Sequence, residues 1–267
     1  AWGCQIKNGA PSSVVNNRIY NGTDAAPGEL PFLARINSGK YGCGAVVIDD
    51  RHLLTAAHCI PDLDMKVTVN LGCHNLTECT DEREAEKYLI HPMYNALFWA
   101  GFDIGLIRLK ETIQFTNRSG VGAIGAIKLP EGPIVRPGEG VEDRDYKLGD
   151  TLTVAGWGYI KDYERNYKTD VPMKVDVKTG MCCDYDFGST VHWNVCAGSS
   201  VGDACRGDSG GPLFRFDEET KSSTLVGLVS AGAYCNSKEP GGSHYARVAY
   251  FLDWIEKTKR EFNKDAK

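Results

Sequence analysis

The stretch GDSGGPLFRFDEETKSSTLVGLVSAG, residues 207–232, holds a tight turn and two short strands. The small residues Gly207-Asp208-Ser209-Gly210-Gly211 let the backbone turn sharply. Behind them, PLFRF at 212–216 and TLVGLVS at 224–230 read as strands parted by polar residues. The same alternation recurs outward along the chain, with GAVVI at 44–48, KVTVNL at 66–71, DIGLIRL at 103–109 and TLTVAGW at 151–157. Many short strands, 30 glycines and long loops argue for barrels or a sandwich. The Pro-, Gly- and charge-rich stretch 130–149 reads as a linker between two halves. One helix is expected over 248–262, where Val248, Phe251, Leu252 and Ile255 fall at helical spacing. Residues 1–18 have no periodic pattern and read as an appended segment, not a domain.

Composition narrows the classes. A chain of 267 residues can bury one large core or two smaller ones. Apolar residues at 42% and charged residues at 24% are ordinary for a globular protein. A net charge of −5 argues against a general nucleic-acid binder. The charged C-terminal EKTKREFNKDAK is read as a solvated helix face. No apolar run reaches about 18 residues, so no membrane-spanning helix is expected. Ten cysteines, an even count, suggest disulfides and an oxidising, extracellular compartment. Cys182 and Cys183 are adjacent, no Cys-x-x-Cys occurs, and no histidine pair has ligand spacing. Neither a metal nor another cofactor is therefore expected. Sequons at Asn21, Asn75 and Asn117 fit a secreted glycoprotein. Ala1 is expected to be the residue left after removal of a signal peptide.

Three segments carry the chemistry. LTAAHC places His58 directly before Cys59, DIGLIRL opens with Asp103, and GDSGGPL places Ser209 between Asp208 and Gly210. Each alone has a bland reading: a structural histidine, a turn aspartate, a tight loop. Together, in the order His, Asp, Ser, they are highly specific. A serine hydroxyl is a weak nucleophile and needs a neighbouring base to take its proton. Imidazole titrates near neutrality and can serve as that base and later as the acid. A buried carboxylate can hold the useful imidazole tautomer.

On these motifs the chain resembles the chymotrypsin/trypsin family of serine proteases, from Ile19 to about Phe262. The resemblance implies two six-stranded antiparallel β-barrels with a C-terminal α-helix. The protease domain would span 19–262, with one barrel over about 30–130, the linker over 130–149 and the second barrel over 150–247. It implies His58, Asp103 and Ser209 as the catalytic triad, and the N–H groups of Gly207 and Ser209 as the oxyanion hole. Arg18-Ile19 resembles an activation site, with 1–18 as propeptide. Cleavage there would expose the α-amino group of Ile19, which would pair with Asp208. Tyr41 stands where many members have a histidine that holds this aspartate in the precursor.

Asp203, six residues before Ser209, matches the pocket aspartate of members that cleave after Arg or Lys. Ser230 and Gly232 would line the substrate cleft, with Ala231 replacing a usual tryptophan between them. Gly241, Gly242 or Ser243 would fill the second wall of a pocket whose 240–245 loop is about two residues longer than usual. Arg206 is expected at the pocket mouth or simply in solvent. The resemblance also implies bridges Cys43–Cys59 and Cys205–Cys235, with Cys196 joined to Cys182 or Cys183. We infer a Cys73–Cys79 bridge where related enzymes hold calcium. Cys4 would reach the remaining member of the 182–183 pair. Expected partners are protein substrates, an activating protease and protein inhibitors of a monomeric enzyme. The alternative is a catalytically inactive homologue that binds and regulates.

Overall fold

The computed structural model describes residues 22–38, 41–60, 66–79, 81–94, 101–116, 119–131, 145–159, 169–182, 192–199, 202–232 and 242–264. Among the described residues thirteen strands precede one α-helix. They are β1 Thr23–Asp24, β2 Leu33–Ser38, β3 Tyr41–Val47, β4 His52–Thr55, β5 Thr68–Leu71, β6 Asp81–Ile90, β7 Gly105–Leu109, β8 Thr151–Gly156, β9 Met173–Gly180, β10 Asn194–Gly198, β11 Pro212–Asp217, β12 Ser222–Gly232 and β13 Ser243–Arg247, followed by α1 Leu252–Lys264. The first barrel closes in the order β2-β3-β4-β7-β6-β5. The second runs β9-β10-β13-β12-β11-β8 and closes through the β8–β9 pair, with β1 added on β9. Closure removes the exposed edges that short strands would otherwise present. The expected architecture of two six-stranded antiparallel barrels and a C-terminal helix is what the chain forms.

Strand β9 shows why these segments are strands. Along MKVDVKTG, Met173, Val175, Val177 and Thr179 are buried while Asp176 and Lys178 are exposed, the two-residue period of a half-buried strand. β6, DEREAEKYLI, carries mostly charge and was not foreseen as a strand. It is held by its ladders to β5 and β7, with none of its residues fully buried. The helix also differs at its start. Residues Val248–Phe251 form a 3-10 turn, and the α-helix begins only at Leu252 and runs to Lys264. Its apolar face, Ile255 and Phe262 with Thr258, is buried. Among the described residues no helix is long and apolar enough to cross a membrane.

Each barrel has its own core. Ile36, Val47, Leu53, Val69 and Ile107 pack in the first, and Leu152, Val177, Val195, Leu213 and Tyr245 in the second. A third cluster joins the two barrels and the helix through Phe32, Leu54, Ile104, Phe214, Val248 and Ile255. Phe32 and Phe214 meet edge-to-face across this seam at 5.2 Å. Burying each such side chain is worth about 1.5–3 kcal/mol, so the seam fixes one barrel against the other. The second half is also tied at the end of the linker, where Arg247 Nε donates to Asp145 Oδ2 at 2.8 Å. Most of the linker, the whole 1–18 segment with Cys4 and Arg18, and Ile19, Asn21, Asn117, Cys183, Cys235 and Gly241 lie outside the described residues.

Candidate active site

His58 sits on the 3-10 turn Ala57–Cys59, braced by the Cys43–Cys59 disulfide. Two bonds tie it to Asp103. The His58 backbone N–H donates to Oδ1 at 2.9 Å, and ring Nδ1 lies 2.7 Å from Oδ2. An ionised carboxylate only accepts, so Nδ1 carries the hydrogen and Nε2 is the basic nitrogen. Asp103 is 3% exposed, whereas the His58 side chain is 34% exposed. The carboxylate is therefore sequestered while the ring stays accessible.

A backbone feature aims Asp103 inward. Phe102, immediately before it, has φ +54, a left-handed conformation that an aromatic residue rarely adopts. Its ring is held by stacking on Trp193 at 5.1 Å and on His91 at 5.1 Å. Ser230 supplies a further donor, its Oγ standing 2.6 Å from Asp103 Oδ2. Ser230 lies at a β-bulge in β12, between Val229 and Ala231, and bulges re-aim side chains in this way. Burial opposes the Asp103 charge, but the bonds and charge of His58 and the bond of Ser230 outweigh it and hold its pKa below 3.8. Burial likewise opposes the charged ring of His58, and Asp103 outweighs that too, raising its pKa above 6.5.

The 207–211 turn is built on glycine. Gly207 has φ +93 and Gly210 φ +76. A β-carbon at Gly210 would lie 2.2 Å from Thr55 Oγ1 and 2.4 Å from the Gly44 carbonyl, so only glycine fits. The turn is docked onto the first barrel by Gly44 N–H, which donates to the Ser209 carbonyl at 2.7 Å. Gly44 adjoins Cys43, and the Cys43–Cys59 bridge adjoins His58. Ser209 and His58 are thus fastened to the two ends of one short, cross-linked path.

Asp208, next to Ser209 in the chain, is fully buried. Its Oδ1 accepts from Gly158 N–H at 2.7 Å and its Oδ2 from Cys205 N–H at 2.9 Å. Burial raises its pKa from 3.8 to about 6, against the pull of those two bonds and of the Arg35 charge. No lysine or arginine among the described residues closes an ion pair on it.

Asp203 is also fully buried. Ala204 N–H donates to its Oδ1 at 2.7 Å, and Ser243 Oγ donates to its Oδ2 at 2.8 Å. Ser243, one of the three residues expected at the second wall, pairs with Gly232 across β12 and β13. A side chain other than hydrogen at Gly232 would press on Ser243 Oγ, 3.0 Å from the added β-carbon. Tyr245 lies alongside, its phenol pushed well above 10 by burial and then by the charges of Asp203 and Asp208. The Asp203–Ser243 contact was not foreseen, since it joins residues 40 apart and depends on the pairing of β12 with β13. Arg206 is exposed on the surface, and its carbonyl accepts from Tyr159 N–H at 2.7 Å.

The described disulfides are Cys43–Cys59, Cys73–Cys79 and Cys182–Cys196, and Cys205 is also disulfide-bonded. Cys196 therefore takes Cys182 of the adjacent pair. Two groupings with metal-like spacing, Cys43-His58-Cys59 and Cys182-Cys196-His244, each consist of a disulfide and one histidine, so their sulfurs are not thiolate ligands. Asn75 is partly exposed in the Cys73–Cys79 loop, where its Oδ1 accepts from Thr77 N–H at 3.0 Å.

The chain is similar to known proteins of one family. The Trypsin family model matches residues 19–255. Human transmembrane protease serine 5 is 32% identical over 260 residues, covering 92% of this chain and 52% of that protein. The chain thus spans about half the length of that relative. Brachyurin of Leptuca pugilator is 32% identical over 247 residues, covering 89% of this chain and 97% of its own. The solved structure of neuropsin, a serine protease expressed in the limbic system of mouse brain, superposes with a TM-score of 0.71 at 28% identity. It covers 89% of this chain and 98% of its own.

Proposed function

We propose that this chain, which belongs to the trypsin family of serine proteases, is the precursor of a secreted endopeptidase that cleaves after Arg or Lys. The observation that carries the reading is the Asp103–His58 pair, a buried carboxylate holding an accessible imidazole by two bonds. In the first step Ser209 Oγ attacks the scissile carbonyl while His58 Nε2 takes its proton. The N–H groups of Gly207 and Ser209 stabilise the oxyanion. The tetrahedral adduct collapses as His58 returns the proton to the leaving amine, giving an acyl-enzyme on Ser209. Water, activated by the same imidazole, then releases the acid and restores the hydroxyl.

Asp203 supports basic specificity, since a buried carboxylate gains most from a substrate cation that replaces its lost hydration. Asp208 supports activation by cleavage after Arg18. Its raised pKa marks an anion short of a cation, and the α-amino group of Ile19 would supply one. Protein substrates, an activating protease and protein inhibitors are the partners that follow, and the disulfides fit an extracellular setting.

The test is hydrolysis of matched Arg, Lys, Phe and Leu peptide substrates before and after limited cleavage with trypsin. Activity on Arg and Lys should appear only after the cut. Replacing Ser209 with Ala should remove it by a factor on the order of 10⁶ in kcat. Silence on all four substrates with an Ile19 terminus confirmed would instead favour an inactive homologue.

A further inference from the structure

β2 carries an arginine among apolar neighbours. Arg35 lies between Ala34 and Ile36, both fully buried, and is itself only 7% exposed. A guanidinium keeps its charge even when buried, so it has to be met by acceptors. Arg35 reaches out of its own barrel to meet one. Its Nη1 donates to the Gly207 carbonyl at 3.3 Å, 172 residues further on. The neighbouring strand β3 leaves room for this reach: a β-carbon at Gly42 would lie 2.1 Å from Arg35 Nη2. Burial disfavours the charged guanidinium, and the Asp208 charge is the first of two that favour it.

Gly207 needs such a restraint. At φ +93 a glycine has no side chain to limit its backbone, so the 207–208 peptide is not aligned by local sterics with the 206–207 peptide, which Tyr159 N–H holds at the Arg206 carbonyl. The 207–208 peptide is held at its other end by Asp208 N–H, which donates to the Cys205 carbonyl at 3.1 Å. With Arg35 on the carbonyl and Cys205 on the N–H, that peptide plane is held from both sides.

We propose that Arg35 is a positioning residue for the oxyanion-binding turn: reaching across from the first barrel, it holds the Gly207 carbonyl and so fixes the 207–208 peptide, the link that sets the Gly207 and Ser209 N–H groups relative to each other. The proposal rests on the reading of Gly207 and Ser209 as oxyanion donors. A preorganised donor acts on the transition state and hardly at all on the ground state.

The test uses the full chain cleaved after Arg18, with variants Arg35→Met, Arg35→Lys and Gly42→Ala. It measures kcat and KM on a peptide amide, and inhibition by a peptide boronic acid that forms a tetrahedral adduct with the serine. Arg35→Met should lower kcat roughly 10- to 100-fold, weaken the boronate in proportion, and leave KM within about threefold. Arg35→Lys should recover part of the loss. Gly42→Ala keeps the charge but pushes the guanidinium aside, so it should follow Arg35→Met. It also decides the matter if the methionine variant does not fold. An active parent whose kcat survives Arg35→Met or Gly42→Ala overturns this proposal alone, and so does a rise in KM with kcat intact. A parent that neither hydrolyses the amide nor binds the boronate overturns the oxyanion reading, and this proposal with it.

Discussion

Asp208 makes the proposed activation step measurable as a change in how stability depends on pH. Burial lifts its pKa from 3.8 to about 6 against two N–H donors and the Arg35 charge, the opposing groups among the described residues. That gap is about 2 units at about 1.4 kcal/mol each, or ~3 kcal/mol. Because the folded value is raised, the contribution to stability is present below 3.8 and is lost as pH rises through about 6. The uncut chain should therefore lose ~3 kcal/mol across that window from this one group. Cleavage after Arg18 would provide an ammonium for the carboxylate, lower its pKa and remove most of that loss. The assay is urea unfolding of Ser209→Ala protein, which cannot digest itself, cut and uncut, from about pH 4 to 7. Other carboxylates titrate alike in both forms, so the difference isolates Asp208. An α-amino group is charged throughout this range. The cut form should gain ~3 kcal/mol on the uncut form as pH rises. Parallel curves would refute the reasoning, as would a carboxyl ¹³C titration of uncut Asp208 near 4.

Other expectations follow from particular contacts. With His58 raised above 6.5, the acid limb of kcat/KM should fall above pH 6.5, and Asp103→Asn should move it lower. Its linked stability runs the other way, present below 6.5 and lost as pH rises through the folded value. Ser230→Ala removes the 2.6 Å donor to Asp103 and should cost about 2 kcal/mol, roughly 4–8 °C in Tm by calorimetry. Ser243→Gly removes the hydroxyl from Asp203 Oδ2, so kcat/KM for Arg relative to Lys substrates should rise roughly tenfold. Replacing Cys73 and Cys79 with Ala opens a bridge of sequence separation 6 and should cost about 2 kcal/mol in urea unfolding. In the intact protein, added calcium should leave the same unfolding midpoint unchanged.

What was legible in the sequence was local. His58, Asp103 and Ser209 announce themselves through the short motifs around them, and strands such as β11 and β12 through β-branched and aromatic runs. What was not legible depends on distant partners. β6 has the composition of a solvated segment and becomes a strand only because β5 and β7 flank it. Arg35 carries no local signal of its role, which depends on the room left by Gly42 and on the Gly207 carbonyl that meets its charge. Ser243 finds Asp203 only after β12 and β13 pair. The adjacent Cys182 and Cys183 gave no local ground for choosing between them.

The aromatic packing around Phe102 gives the protein a built-in optical gauge. Trp193 stacks on Phe102, one residue from Asp103, while His91 contacts both Phe102 and Trp254. An indole in such a stack changes its emission when the ring beside it shifts, and a protonated imidazole quenches a neighbouring indole. Burial lowers the pKa of His91 below 6.5, so the quenching should set in only on the acidic side of that value. Intrinsic fluorescence can therefore follow the loop that presents Asp103 without any added label.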